Sequence, residues 1–330
     1  MIGYIVRRLL AMLPVFFLVA LIAFGLVCIA PGDFYTPLRL LGIHSTAYES
    51  MRVMRGIDKP WIVQFWIWFE GVITRGDFGI SFATGGPVGP YIFSKEAGMQ
   101  WTLIITGSSM ILAWLAGIPL GILAAVRKRK PLDYLVSVLA YVGISFPQYV
   151  LGWCFIWFVY KFINRLIISP GTWGLVDVAL RREPMSVAKF GSYVWHLTPA
   201  WIIVGAPMFA LVVRHMRNSM LDTMNEHYMD TARAKGLRES RVLLKHALRN
   251  ALNPLISMAG MMIPTLITGS ILATQVLGLP TFGQVLITAT RSQDQHLLTA
   301  CLLFYASLLL VGNLIADLGL AVVDPRIRYR

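Results

Sequence analysis

The sequence contains no Gly-Lys pair anywhere in its 330 residues, so it has no G-x-x-x-x-G-K-[ST] loop to cradle ATP phosphates. Any ATP hydrolysis tied to this chain is expected on another polypeptide. Charge is scarce too: Asp, Glu, Lys and Arg make up 14% of the residues, against 57% hydrophobic. A soluble domain of this length needs far more polar surface to cover itself. The three cysteines, Cys28, Cys154 and Cys301, sit in apolar runs with no CxxC or Cys/His spacing. They read as small buried hydrophobes, not as a disulfide framework or a metal site. The six histidines are scattered, and none has a His or Cys partner at i+3 or i+4. No cofactor and no catalytic residue is expected.

What is present is apolar sequence in long runs. Leu9–Ala30, Trp101–Val126, Tyr134–Tyr160, Leu197–Val213, Pro254–Ala273 and Leu297–Ile315 contain no Asp, Glu, Lys or Arg. The fourth is the shortest. Backbone groups in lipid must be satisfied internally, so each is expected to be a helix. The fold class is therefore an all-α membrane protein with six transmembrane helices. The first run has no small-residue cleavage site and reads as a retained span. Pro119, Pro147, Pro207 and Pro264 lie inside four of the runs, where kinks are expected. No acidic residue falls within a run, which disfavours the proton or sodium relay of an ion-coupled secondary transporter.

The net charge of +13 follows the same division. With the N-terminus placed in the cytoplasm, 17 of the 29 basic residues fall on inner segments. They include Arg7 and Arg8, the run Arg127–Lys130, eight between positions 214 and 252, and three in the tail. The positive-inside rule thus puts both termini in the cytoplasm. Nucleic-acid binding is the poorer account, because the charge is divided among short separate loops.

The organisation expected is an N-terminal segment and first span at 1–30, an extracytoplasmic loop at 31–100, a core at 101–322 and a cytoplasmic tail at 323–330. In the outer loop, "DKPWIVQFWIWF" is expected to open a helix capped by Asp58, with Pro60 in its first turn. Its aromatic run suits either a helix at the membrane interface or a packed external subdomain. "RGDFGISFATGGPVGPYI" reads as turns or a short hairpin. Residues 161–196 give no clear pattern.

The charged stretch 214–252 is the unusual part. Met220–Ala234 has helix-forming composition and stops at Gly236. A second helix is expected from about Glu239, with Leu244, Leu248, Leu252 and Leu255 on one side and Arg241, Lys245 and Arg249 on an adjoining side. Two readings fit: a solvated basic loop meeting lipid headgroups, or a docking element for a cytoplasmic partner. The small, compact Asp230-Thr231-Ala232 ahead of a glycine turn favours docking.

The residues also carry a family resemblance. "DTARAKG" resembles the Glu-Ala-Ala-x-x-x-Gly loop of ABC-importer permeases, with Asp230, Thr231 and Ala232 leading, Arg233, Ala234 and Lys235 between, and Gly236 last. "ARAKGLRESRVLLKHALRNALNPLI", "RGDFGISF", "GLPTFGQVL…D" and "DPRIRYR" resemble the dipeptide/oligopeptide/nickel branch across nearly the whole chain. Two departures stand out: Arg249 replaces the proline usual about thirteen residues after the glycine, and Thr281-Phe282 departs from the branch's outer-loop pattern. The resemblance implies the type I importer permease fold, with residues 230–236 as the helix that couples to an ATPase. It implies a second homologous permease, two cytoplasmic ATPases, an extracytoplasmic binding protein and a bacterial or archaeal cytoplasmic membrane. Peptides are the implied cargo, with nickel, oligosaccharides or another solute as the alternative.

Overall fold

The computed structural model describes residues 2–32, 34, 36, 50, 52–54, 56–159, 161 and 174–323. Among them the elements are helical. In chain order the main ones are α1 (Ile2–Ile29), α2 (Trp61–Arg75), α3 (Val88–Ile92), α4 (Met99–Val126), α5 (Pro131–Ser145), α6 (Gln148–Phe158) and α7 (Val187–Met224). Then come α8 (His227–Ala234), α9 (Glu239–Arg241), a π-helical segment Val242–Ala247, α10 (Leu248–Ala251), α11 (Asn253–Val276), α12 (Phe282–Arg291) and α13 (Gln295–Val323). The tail 324–330 with its DPRIRYR signature, and Ser169–Trp173 of the second outer segment, lie outside the described residues.

Every apolar run falls on a helix. Four helices are long and apolar enough to cross a bilayer by themselves: α1, α4, α7 and α13. The run expected at 134–160 is instead two helices, α5 and α6, meeting at 110°. Pro147 explains the break. It cannot donate an amide to continue α5, and it forces the preceding residue out of the helical region. Phe146 accordingly sits at φ −97°, ψ 131°. Pro119 and Pro207, by contrast, lie inside continuous helices. The fifth run, Pro254–Ala273, lies on α11, a helix of 24 residues in which Leu266–Val276 is a shorter apolar stretch.

The chain forms two compact units. The first comprises residues 1–100 and 280–310. Within it α2 packs on α1, with Phe65 and Trp68 buried beside Ala20 and Phe24. Rings interlock edge to face, Phe17 with Phe69 at 5.3 Å and Phe24 with Phe65 at 5.7 Å. Such pairs add to simple area burial. The opposite side of α2 exposes Ile62, Trp66 and Ile67. Asp58 does not cap α2: Pro60 occupies the cap position, with no side-chain hydrogen bond. The glycine-rich stretch is the expected turn, closed by an antiparallel bridge between Ile80 and Pro87. It is anchored by Asp294, fully buried, whose carboxylate accepts from Ser81 Oγ (2.6 Å), Ala83 N (2.9 Å) and Leu297 N (3.1 Å). Asp294 is thus both the N-cap of α13 and the fastening of the turn.

The second unit comprises residues 101–279 and 311–330 and is organised on α7. This helix has 38 residues, about 57 Å at 1.5 Å per residue, nearly twice a ~30 Å hydrocarbon core. Small residues let its neighbours close in, as membrane packing requires. A Cβ on Gly121 of α4 would lie 2.7 Å from Met216 Cβ, and one on Gly143 of α5 would lie 2.8 Å from the Ala206 carbonyl oxygen. The core along this contact includes Val204, Met208, Val212, Met216 and Met220, all buried. Of the cysteines, Cys301 is buried, Cys28 half-buried and Cys154 exposed. The last departs from the buried reading because α6 turns that side outward.

Candidate functional site

The loop expected from residue 214 starts later than the charge pattern implied. Arg214–Met224 continue α7 as regular helix, so the first eleven positions of that stretch extend the span. Nor is Met220–Ala234 one helix. Asn225 caps α7 at φ −90°, ψ −1°, and Glu226 is extended at φ −75°, ψ 140° before α8 begins at His227. Asn is favoured at such ends because its side chain competes for backbone groups.

α8 carries most of the motif residues: Asp230, Thr231, Ala232, Arg233 and Ala234 lie within it, Lys235 is its C-cap, and Gly236 follows. Its inner face is Met229 and Ala232, i and i+3, both buried in the hydrophobic core of the second unit. Asp230, Thr231, Ala234 and Lys235 are exposed on the other side. Ala232 therefore packs inside its own chain, and the free surface of α8 is formed by its neighbours. Gly236 adopts φ +72°, the left-handed region an L side chain resists, and among the described residues beyond its two chain neighbours nothing lies within 4 Å of where its Cβ would be. Its requirement is conformational, not steric.

Two polar contacts hold α8 in place. Arg233 reaches across the glycine turn to Glu239 (3.1 and 3.3 Å) and back to Asp230 (3.3 Å). Glu239, then Asp230, raise its guanidinium pKa above the usual arginine value. At the other end the Asn250 side-chain amide donates to Tyr228 Oη at 2.8 Å, tying α8 to α10.

The second helix begins at Glu239, as expected, but its buried side is different. Val242, Ala247, Ala251 and Leu255 are buried, whereas Leu244 is 61% exposed. The π-helical turn over Val242–Ala247 is the cause. It adds one residue to that turn, so the buried positions step by five and then by four. Leucines spaced for a uniform 3.6-residue helix are rotated out of register; Leu248 and Leu252 are half-buried, and Leu255 alone is fully inside. Arg241, Lys245 and Arg249 are all exposed.

One constellation escaped the sequence reading. Asp133, in the first turn of α5, accepts from Arg217 Nε at 2.6 Å and Nη2 at 2.8 Å. The Arg129 backbone N–H donates to the same carboxylate at 2.9 Å. The only signal in the sequence was an acid three residues after a basic run, at the edge of an apolar stretch. The pair ties α5 to α7 seven residues before α7 ends at Met224.

Comparison with known proteins places these features in context. Residues 117–329 match the family described as binding-protein-dependent transport system inner membrane component, and residues 1–107 match its N-terminal counterpart. The chain is 34% identical over 330 residues to the oligopeptide transport system permease protein AppB of Bacillus subtilis (strain 168), covering all of both chains. It is 33% identical over 333 residues to the glutathione transport system permease protein GsiC of Escherichia coli (strain K12), again covering all of both.

Proposed function

The chain belongs to the binding-protein-dependent transport system inner membrane component family, and from that premise we propose that it forms, with a second homologous permease, the path by which peptides enter the cell. It is the multi-pass membrane permease of an ATP-binding-cassette importer, not an enzyme, and it works with ATPase and substrate-binding partners. The peptide cargo rests on the two relatives, named for oligopeptides and for glutathione, itself a small peptide. A heterodimeric pairing and cytoplasmic termini go with this reading. So does the placement of residues 31–100 outside, residues 101–322 as the core and 323–330 as an inner tail. The bias of basic residues toward one set of loops supports the orientation.

Residues 230–236 are the contact with the ATPase in this reading. The observation that carries it is the construction of α8: its inner face, Met229 and Ala232, is seated in the chain's own core, and its outer face is free. A helix that merely floated on headgroups would have no need of that seat. The movement of closing ATPases would pass through α8 into α7, provided nucleotide binds the two states of the importer with different affinity.

The test is a pair of substitutions on opposite faces. Ala234→Tyr, on the exposed face, should leave the permease inserted and monodisperse while abolishing ATPase co-purification or substrate-stimulated hydrolysis. Ala232→Tyr should instead disturb the chain itself. Full transport by Ala234→Tyr and Thr231→Tyr, with both ATPases bound, would remove α8 as the contact.

A further inference from the structure

Where α5 and α7 run side by side near the α8 end of the second unit, a cleft of about 90 Å³ opens between them. Its polar wall is Ser137, Tyr141, Arg214, Arg217 and Asn218, and its apolar wall is Ala140, Ile144 and Val213. Arg217 is committed through Nε and Nη2 to Asp133. Arg214, Tyr141 and Asn218 are exposed and make no hydrogen bond or ion pair among the described residues. Three hydrogen-bonding side chains, one of them a cation, thus converge on a concavity without a partner. Arg214 is also the first charge after the apolar run Leu197–Val213, so the cleft lies where hydrocarbon gives way to headgroups.

We propose that this cleft binds the headgroup phosphate of an anionic phospholipid in the leaflet on the α8 side. Arg214 supplies a charge-assisted donor, Tyr141 Oη and Asn218 Nδ2 add neutral donors, and the exposed Ile144 borders the start of the acyl chains. Basic pockets between spans at a membrane boundary are suited to such lipids. The charges decide between headgroups. With Asp133 neutralised by Arg217, Arg214 leaves the cleft with a net positive charge, and the exposed Arg127–Lys130 run near the start of α5 adds more. A zwitterionic lipid would bring its own cation into that field, and an anionic one would not. The inference does not depend on the coupling role of α8.

The experiment is native mass spectrometry of the assembled importer with added phosphatidylglycerol or phosphatidylcholine. Selective retention of phosphatidylglycerol is expected, and it should fall about fivefold in Arg214→Gln, the size one basic side chain at an anionic surface carries. Asn218→Leu should weaken it in the same direction. Lys128→Gln, outside the cleft and acting only through the longer-range field, should lower it much less than Arg214→Gln. Inorganic phosphate at millimolar concentration should not compete; full competition would mean a soluble anion site and overturn the lipid assignment. Equal retention of both lipids, an unaltered Arg214→Gln, or an equal loss in Lys128→Gln would each overturn the proposal, and so would a cleft closed to lipid by the second permease.

Discussion

Removing either partner of the Asp133–Arg217 pair should destabilise the permease, but by different amounts. The Asp133 side chain is 5% exposed and that of Arg217 is 24% exposed. Arg217→Met strands a buried carboxylate that keeps the Arg129 amide but loses two charge-assisted donors. Uncompensated buried charge costs about 3–5 kcal/mol. Asp133→Asn leaves an amide of the same shape, still able to accept from Arg217, whose long stem lets the guanidinium turn toward water. That change should cost about 1–3 kcal/mol. A gap of about 2 kcal/mol is roughly a thirtyfold difference in the folded-to-unfolded ratio. Replacing both, Asp133→Leu with Arg217→Met, removes the desolvation penalty and should recover much of the loss. Charge exchange should recover less, because the Arg129 amide can donate to a carboxylate at 133 but not to a guanidinium. The measurement is the temperature at which the importer in one fixed detergent loses its monodisperse chromatographic peak. The order expected is wild type, Asp133→Asn, then Arg217→Met as the least stable, with the apolar pair above Arg217→Met. An Asp133→Asn variant as unstable as Arg217→Met, or an apolar pair worse than both singles, would refute the argument.

Three further outcomes follow from the same geometry. Gly236→Val should cost about 1–2 kcal/mol in the loop, the penalty of a left-handed L residue, and lower transport, while Gly236→Asn should be nearly silent because Asn tolerates that region. Equal loss in both would mean a steric contact at this position, not a backbone requirement. Gly121→Val should push α4 away from α7, since the new Cβ would lie 2.9 Å from the Val213 carbonyl oxygen; the loss of monodisperse protein measures it, and an unaltered yield would show that the helices can part freely. Cysteines placed at Ala83 and Lys128 after removal of the native three should label from opposite sides of sealed vesicles, and labelling from one side would end the assigned orientation.

Much of this architecture was legible, and the parts that were not share a cause. Hydropathy reports which residues tolerate lipid, so all six apolar runs landed on helices. It says nothing about where a helix stops once it has left the lipid. α7 keeps going to Met224 because Arg214, Arg217 and Asn218 are compatible with helix, and it ends only where Asn225 caps it. The 110° break at Pro147 was foreseen as a kink, but its size depends on what α5 and α6 pack against. A helix-forming stretch that stops at Gly236 was legible from composition, and the likeness of residues 230–236 to the family's loop came from the resemblance. Which of them face inward was not: Ala232 looked like a contact point and is core. The leucine stripe failed for a sharper reason, since one π turn displaces every later position by a residue and leaves no mark in composition.

These details bear on how force could travel through the chain. On the proposed coupling role, a push on α8 is useful only if the joint at Asn225–Glu226 does not absorb it. Three features stiffen that joint. Met229 and Ala232 are packed in the core, Tyr228 is tied to Asn250, and Arg233 clamps Glu239 across the glycine turn. The π segment and α10 in turn pack on α7, so α8 is bound to α7 by a second route besides the covalent one. Displacement then reaches α7, a single unbroken helix along its whole length. From there it passes to α5 through the bidentate Asp133–Arg217 pair and the close approach at Gly143. The next element, α6, follows α5 through the extended Phe146-Pro147 link and packs on α7 and α11. In this reading the joint that turns is the 110° bend at Pro147, where α5 and α6 part. Stiffening Phe146–Pro147, for example by a disulfide between α5 and α6, should therefore stop transport while leaving the ATPases bound and nucleotide binding intact. A cross-link at Asn225–Glu226 should be tolerated, because that joint is already held. Transport that survives the first cross-link and fails with the second would place the hinge at the base of α8 and reverse the order of the mechanism.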